Sequence, residues 1–337
     1  MILIKKGAPQ YKANLHCHST LSDGGMTPDE LKSAYRDHGY SVLAITDHEY
    51  PYDHSDMSEE DFLLLTGYEA HIRMFENGKS DPFVPEIHIN LFAKEPHNVS
   101  YICFNEQYCK YAKDPAVREG FNKVGSQKTR RYDVEYINEF VKCARENGYI
   151  CTHNHPTWSL AAWEDILKYE GFFSMEMCNY SSFLQDRLEY NGILYDHLLR
   201  NGKRIFCHSV DDNHNSVPLD SPCSDSFGGF TMIMADRLEY SSVIEALEKG
   251  NFYSSMGPLF HYVAVEGGKI IIECTPARQI TVHLGGRRMI AAHGTRENPL
   301  THVELNMPQR FKYLRFSVTD FEGHHADTHA VFPEELD

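Results

Sequence analysis

The stretch Asn14-Leu-His-Cys-His-Ser-Thr-Leu-Ser-Asp-Gly24 decides how the rest of the chain is interpreted. At its centre are His16 and His18, and residues two apart in an extended strand project from the same face. Two imidazoles on one face can bind one divalent metal ion. Asp23 adds a carboxylate next to Gly24, where the backbone can turn freely. The stretch predicts a metal site at a strand end, although a single His-x-His pair also fits an ordinary polar strand end.

A helix and a buried strand follow this stretch. Thr27, followed by Pro28 and Glu30, predicts a helix that begins with a capping box. The apolar run 41–46 predicts a buried parallel strand that ends beside His48. A strand, a helix and a second strand make a βαβ unit.

The same alternation continues to about residue 255, with at least seven predicted strands. Histidine, aspartate or glutamate side chains occur at six of the strand ends, among them Glu69, His88, His155 and Asp212. In a parallel α/β barrel, active sites are built at the C-terminal ends of the strands. Buried imidazoles and carboxylates crowded together there would be costly without a bound cation. The pattern therefore predicts an α/β barrel with a metal site at the strand ends.

The character of the chain changes after residue 256. Short alternating runs, separated by turns such as Gly267-Gly268, predict a small all-β sandwich. We predict two domains, a barrel at 1–256 and a C-terminal β-sandwich at 257–337. The long segment 93–132 lacks clean periodicity, and we interpret it as a cap or lid.

Composition limits the partners. The net charge of −16, from 32 basic and 48 acidic residues, argues against binding of nucleic-acid polymers or anionic membranes. A small anionic substrate stays compatible with it, because bound cations reverse the local charge. Nine cysteines without a C-x-x-C pair favour a reducing compartment. Because the sequence has no signal-peptide or membrane-spanning pattern, we expect a cytoplasmic protein. The sequence does not determine its oligomeric state.

The series of motifs resembles the polymerase and histidinol phosphatase family, known as the PHP domain. It runs His-x-His, Ser-Asp-Gly, Thr-Asp-His, Gly-x-Glu, His, His-Pro and Asp-x-His over about residues 12–255. Segment 242–258, followed by a β domain, is similar to the branch that includes carbamate-hydrolysing metallohydrolases. The resemblance implies a distorted seven-stranded (β/α) barrel with two or three divalent ions. Imidazole and carboxylate ligands suit zinc, manganese or iron, and ligand type does not choose among them.

The resemblance also implies nine metal ligands in three groups. The groups are His16, His18 and Asp212 for one ion; His88 and His155 for a second, bridged to the first by Glu69; and Asp23, His48 and His214 for a third. Of these, Glu69, Asp212 and His214 are the candidate catalytic residues.

Other residues are expected near these ligands. Asp47 and His153 are candidates for orienting the ligand imidazoles. His153 is also an alternative to His155 as a ligand, although the family's ligand precedes proline, as His155 does. Arg130, Arg131 and His208 are the candidates for binding the substrate; the arginines also fit an ordinary approach to a helix.

The leading functional hypothesis is a metal-dependent hydrolase of ester bonds. It would be a phosphoesterase that hydrolyses a small phosphorylated metabolite or nucleotide with a metal-activated hydroxide at a di- or trinuclear site. The alternative is a metallohydrolase of a non-phosphate ester or carbamate. A third hypothesis is a metal-stabilised scaffold without activity, and the presence of every ligand type argues against it.

Overall fold

The computed structural model describes residues 1–74, 82–186 and 189–336, and it shows a mixed α/β fold with one large sheet and few helices. Most apolar runs predicted as strands form strands. The strands before residue 256 are β1 (Ile2–Ile4), β2 (Tyr11–Asn14), β3 (Val42–Ile45), β4 (Leu63–Arg73), β5 (Glu86–Ala93), β6 (Tyr101–Ile102), β7 (Lys123–Val124), β8 (Tyr149–His153), β9 (Ser174–Asn179), β10 (Phe206–Val210), β11 (Phe230–Ile233) and β12 (Phe252–Ser255).

The helices lie between these strands. In the described residues they are α1 (Pro28–Asp37), α2 (Pro115–Gly120), α3 (Val134–Glu146), α4 (Trp163–Ile166), α5 (Tyr180–Asp186), α6 (Gly192–Arg200) and α7 (Tyr240–Lys249). The predicted capping box of α1 is confirmed: Thr27 Oγ1 accepts from Glu30 N at 3.3 Å, and Glu30 Oε2 accepts from Thr27 N at 2.8 Å. Across the ranges that the structure describes, no helix is both long and apolar enough to cross a membrane.

The large sheet is not the closed parallel barrel that the sequence predicts. Strands β2, β3 and β4 are parallel, as are β8, β9 and β10, but β5 runs antiparallel between β4 and β8. Only residues 74–85 separate β4 from β5, about the shortest length that a parallel crossover can use. The hydrogen-bonded order is β10-β9-β8-β5-β4-β3-β2-β11, so β10 and β11 stand at opposite ends of this part of the sheet.

Two backbone hydrogen bonds join the segments that follow β2 and β10. Asp212 N donates to His16 O at 2.9 Å, and His18 N donates to Asn213 O at 3.1 Å. They bring the His16 and His18 pair against the segment that carries Asp212, although 194 residues separate His18 from Asp212.

The C-terminal strands form two layers. They are β13 (Phe260–Glu266), β14 (Lys269–Ala277), β15 (Gln279–His283), β16 (Met289–His293), β17 (Leu300–Asn306), β18 (Arg315–Thr319) and β19 (His325–Asp327). One layer has the order β1-β13-β14-β17, and the other continues the large sheet as β12-β19-β18-β15-β16. Apolar residues of both layers, such as Ile272 and Phe316, share one core. The N-terminal strand β1 belongs to the first of these layers, whereas the predicted domain boundary assigns it to the barrel domain.

Candidate metal centre

The structure gathers the nine predicted ligands at one end of the large sheet. Seven of them line a cavity of about 690 Å³: Asp23, His48, Glu69, His88, His155, Asp212 and His214. The other two, His16 and His18, are fully buried and contact the carboxylates of that lining.

Glu69 lies at the centre of the cluster. Its Oε1 is 3.1 Å from His88 Nδ1, 3.2 Å from His16 Nε2 and 3.4 Å from His155 Nε2. Its Oε2 lies 2.7 Å from His48 Nδ1 but takes no well-directed hydrogen bond from it. Oε2 also lies 3.7 Å from His18 Nε2, so one buried carboxylate faces five imidazoles, which is the position expected of a bridging ligand.

Asp212 faces the His-x-His pair. Its Oδ1 lies 3.0 Å from His18 Nε2 and 3.1 Å from His16 Nε2, and these two nitrogens are 3.2 Å apart. Two imidazole nitrogens and a carboxylate oxygen therefore point into one small volume. The backbone of Asp212 has φ 53°, in the left-handed region that non-glycine residues seldom adopt. Such strain is typical of residues whose side-chain position matters.

A third group surrounds Asp23. Its Oδ2 lies 3.6 Å from His48 Nε2, and its Oδ1 lies 3.7 Å from His214 Nε2 and 3.8 Å from His18 Nδ1. These separations are too long for hydrogen bonds. Atoms bound about 2.0–2.2 Å from a tetrahedral ion lie about 3.3–3.6 Å from one another. His18 Nδ1 is buried without a hydrogen-bond partner. The donor set therefore fits a cation.

The clusters overlap more than the three predicted groups do. In the part of the chain that the structure describes, ligand atoms within 4.8 Å of one another come from three sets: His18, Asp23, His48 and His214; His16, His18 and Glu69; and His48, Glu69 and His88. His18, His48 and Glu69 each belong to two sets. The number of ions and the partition of ligands therefore stay predictions.

Protonated imidazoles balance the carboxylates of the cluster. Burial opposes protonation of His88, but Glu69 and Glu86 outweigh it and raise its pKa to about 10. Burial likewise opposes protonation of His16, whose pKa three neighbouring carboxylates raise well above its usual 6.5. Burial and the imidazoles of its neighbours lower the pKa of His18 to about 4. His18 is thus a neutral ligand, while His16 and His88 carry charge that a metal ion would replace.

Two residues on β9 that were not predicted from the sequence, Glu176 and Asn179, hold these ligands in place. Glu176 accepts hydrogen bonds from His16 Nδ1 at 2.8 Å, His155 N at 2.7 Å and Asn179 Nδ2 at 2.9 Å. Asn179 Nδ2 also donates to Asp212 Oδ2 at 2.9 Å. A hydrogen bond at His16 Nδ1 leaves Nε2 free to bind an ion. The only signal in the sequence was one acidic residue inside an apolar strand.

The predicted orienting residues differ in their positions. Asp47 accepts from Ser19 N at 2.8 Å, Ser19 Oγ at 2.7 Å and Ser22 Oγ at 2.6 Å, so it fixes the loop that carries Asp23. His153 instead packs against Tyr169 and Phe172, with ring centroids 5.7 Å apart in both cases. Of the two alternatives on this segment, the structure places His155 in the cluster.

The predicted substrate-binding residues lie outside the cavity lining. Arg130 is 2 % exposed, and its guanidinium donates to the carboxylate of Glu49. Arg131 is exposed and donates to Asp133 at 2.9 Å. His208 is fully buried, with Nδ1 2.7 Å from Ser174 Oγ. The expectation that these side chains meet substrate is therefore corrected: each already has another partner.

The remaining cavity wall is neutral or acidic. It includes Trp158, Ser181, Ser182, Leu184, Gln185, Ser216, Val217, Pro222, Cys223 and Asp225. Among the described lining residues there is no lysine or arginine. The predicted lid segment 93–132 reaches the cluster through Tyr111, whose hydroxyl donates to Asp23 Oδ2 at 2.9 Å.

Several solved structures are similar to this chain. One is a two-domain protein containing a predicted PHP-like metal-dependent phosphoesterase from Bacteroides vulgatus, with 14% identity over 97% of this chain and 98% of that chain and a TM-score of 0.41. A candidate metal-dependent phosphoesterase from Bifidobacterium adolescentis has 17% identity over 64% of this chain and 91% of that chain, with a TM-score of 0.39.

A third solved structure is an amidohydrolase from Chromobacterium violaceum with bound sulfate and no metal. It has 15% identity over 60% of this chain and 87% of that chain, with a TM-score of 0.40. No protein-family model matches the chain, and no curated protein matches its sequence. We infer the chemistry of the chain from its own side chains.

Proposed function

We propose that this protein is a metal-dependent hydrolase that cleaves a small phosphate ester. The observation that carries the proposal is the buried carboxylate of Glu69, which lies among five imidazoles in the lining of an open cavity. A structural core has no use for so many titratable groups in one place, because burying them unpaired is costly. Perturbed groups gathered in a cleft are typical of active sites.

The nine clustered side chains would hold two or three divalent ions. Zinc, manganese and iron all suit such ligands. When bound, such ions acidify a water molecule and neutralise charge on substrate oxygens. The protein fixes the ligands through Glu176 and Asn179 and fixes the Asp23 loop through Asp47. Its own residues thereby set the geometry in which substrate and ions meet.

A second function, hydrolysis of an uncharged ester or carbamate, is favoured by one observation. The described lining offers no lysine or arginine to an anionic group, but it offers apolar side chains such as Trp158, Leu184 and Val217. For a phosphate ester, the charge would be met by the ions alone. For a carbamate, the apolar wall would hold the organic part.

The test compares three nitrophenyl compounds with one readout. Metal-loaded protein is assayed with p-nitrophenyl phosphate, bis(p-nitrophenyl) phosphate and a p-nitrophenyl carbamate, all of which release nitrophenolate. We expect the phosphate monoester or diester to be hydrolysed fastest. Preference for the carbamate would support the second function, and no hydrolysis of any compound would contradict both.

Glu69→Gln tests the centre itself. Glutamine keeps the volume, but it removes the charge, and its amide nitrogen is a poor ligand. We expect hydrolysis to fall by about two to three orders of magnitude, or about 3–4 kcal/mol in barrier. Glu170→Gln, which removes an exposed carboxylate, should have little effect. A folded Glu69→Gln protein with most of its activity would show that Glu69 is not the bridging group.

A further inference from the structure

A second cavity lies in the C-terminal β layers, away from the residues of the metal centre. It has a volume of about 660 Å³ and lies between the β15–β16 turn and the segment that precedes β18. The cavity, here named the basic cleft, is lined by Leu284, Gly285, Gly286, Arg287, Arg288, Arg310, Phe311 and Lys312. It shares no lining residue with the metal-centre cavity.

The basic cleft concentrates positive charge in an acidic protein. Four of its eight lining residues are arginine or lysine, whereas the whole chain carries a net charge of −16. Among the described residues, no carboxylate forms an ion pair with any of these four cations. Elsewhere on the surface, arginines such as Arg36, Arg204 and Arg296 are paired with acidic side chains. Four unpaired like charges around one cavity repel each other, and a bound anion would relieve that repulsion.

The fold holds the two sides of the basic cleft together. Lys312 N donates to Leu284 O at 3.0 Å, so the two segments are joined through their backbones. Gly285 has φ +69°, and a Cβ there would meet Lys312 Cβ and the Tyr313 ring at 2.8 Å. Only glycine allows this approach, which brings Arg287 and Arg288 near Lys312. Tyr313 OH is anchored in turn on Asp196 of α6 at 2.8 Å.

We propose that the basic cleft binds a small molecule that carries several oxyanion groups, such as phosphates. Arginine guanidinium groups suit this ligand, because they bind planar oxyanions through two parallel hydrogen bonds. The cavity volume lies within the range of small-molecule sites, about 300–1,000 Å³. Phe311 and Leu284 add apolar surface for the organic part of the ligand. A nucleic-acid polymer fits less well, because the rest of the surface carries the opposite balance of charge.

Calorimetric titration of the metal-loaded protein tests the proposal. The probe is naphthalene-1,3,6-trisulfonate, whose three anionic groups resist hydrolysis and bind divalent ions weakly, and the reference is naphthalene-1-sulfonate. At about 150 mM salt, where charges beyond about 8 Å are screened, we expect the trisulfonate to bind at least about tenfold more tightly. Equal affinities, or a dissociation constant above about 1 mM for the trisulfonate, would overturn the proposal.

Two double variants, each of which removes two positive charges, test whether the trisulfonate binds in the basic cleft. Arg288→Gln with Arg310→Gln removes two charges from the basic cleft, and Arg237→Gln with Arg296→Gln removes two exposed charges elsewhere. Circular dichroism checks that both fold. We expect the cleft variant alone to lose at least about tenfold in affinity. Equal losses in both variants would reveal only an effect of net charge and overturn the site. Tighter binding of an RNA oligonucleotide than of the trisulfonate would indicate that the basic cleft binds a nucleic-acid polymer, and it would overturn the proposal of a small ligand.

Discussion

Replacing Glu176 tests whether the β9 carboxylate positions the metal ligands. In Glu176→Gln, one of the two acceptor oxygens becomes an amide that donates. The carboxylate accepts three hydrogen bonds, from His16 Nδ1, His155 N and Asn179 Nδ2. Whichever way the amide turns, its NH₂ group faces a donor, so at least one of these bonds is lost.

The expected size of the effect follows from these contacts. A hydrogen bond to a charged group contributes about 1.5–3 kcal/mol. Loss of a carboxylate behind a metal-binding histidine costs about 10–100-fold in metal affinity, or about 1.4–2.8 kcal/mol. The free energy of one hydrogen bond to a charged group therefore agrees with the free energy that corresponds to this loss of metal affinity. We therefore expect Glu176→Gln to bind metal about 10–100-fold more weakly than the unaltered protein.

The assay is competition for Zn²⁺ against a chromophoric chelator, together with urea unfolding of the metal-free protein. Glu189→Gln is the control, because Glu189 is equally buried but accepts from Trp158 N and Asn191 Nδ2. A positioning role predicts that Glu176→Gln lowers metal affinity far more than the control does. If both variants lose only stability and keep metal affinity within about twofold, the reasoning about Glu176 is refuted.

Three further predictions concern the metal content, the protons released on metal binding and the buried arginine. Elemental analysis of the purified protein should find two or three divalent ions per chain. Fewer than one ion per chain, in protein that was never exposed to a chelator, would contradict the metal site. Because the pKa of His88 is raised to about 10 and that of His16 is also raised, both are protonated at neutral pH in the metal-free protein. Metal binding should therefore release protons and strengthen as pH rises, which calorimetry in buffers of different ionisation enthalpy measures; binding without proton release would contradict this. Arg130→Met leaves Glu49 buried without its cation and should lower the free energy of unfolding by about 3–5 kcal/mol in urea. The exposed control Arg131→Met should stay within about 0.5 kcal/mol, and equal effects would contradict the buried pair.

The features that were predicted from the sequence are those that depend on residues close together in the chain. The capping box of α1 spans four residues, and the structure shows both of its hydrogen bonds. The ligand pair His16 and His18 was predicted from the two-residue period of a strand, although both residues lie just past the end of β2. Polar residues after β3, β8 and β10 indicated where His48, His155 and Asp212 would meet, whereas Glu69 and His88 lie within β4 and β5. In these cases the residues that determine the feature lie close together in the chain.

Contacts between distant residues could not be predicted in this way. Glu176 meets His16 across 160 positions, and its sequence context is an ordinary apolar strand. Arg130 was assigned to substrate because a free arginine suits an anion, but its partner Glu49 lies 81 residues away. The antiparallel direction of β5 likewise depends on strand pairing, which apolar runs do not encode. Each of these features depends on a contact between residues that lie far apart in the chain.

The charge of the metal-centre cavity links metal binding to substrate binding. Asp23, Glu69, Asp212 and Asp225 line it, and the described lining has no lysine or arginine. Without divalent ions, an anionic substrate would meet these four carboxylates with no lysine or arginine beside them. Bound cations reverse this balance within the site. The ions would therefore form part of the substrate-binding surface, and a phosphate ester would bind after them, whereas an uncharged carbamate could enter through contacts with Trp158 alone.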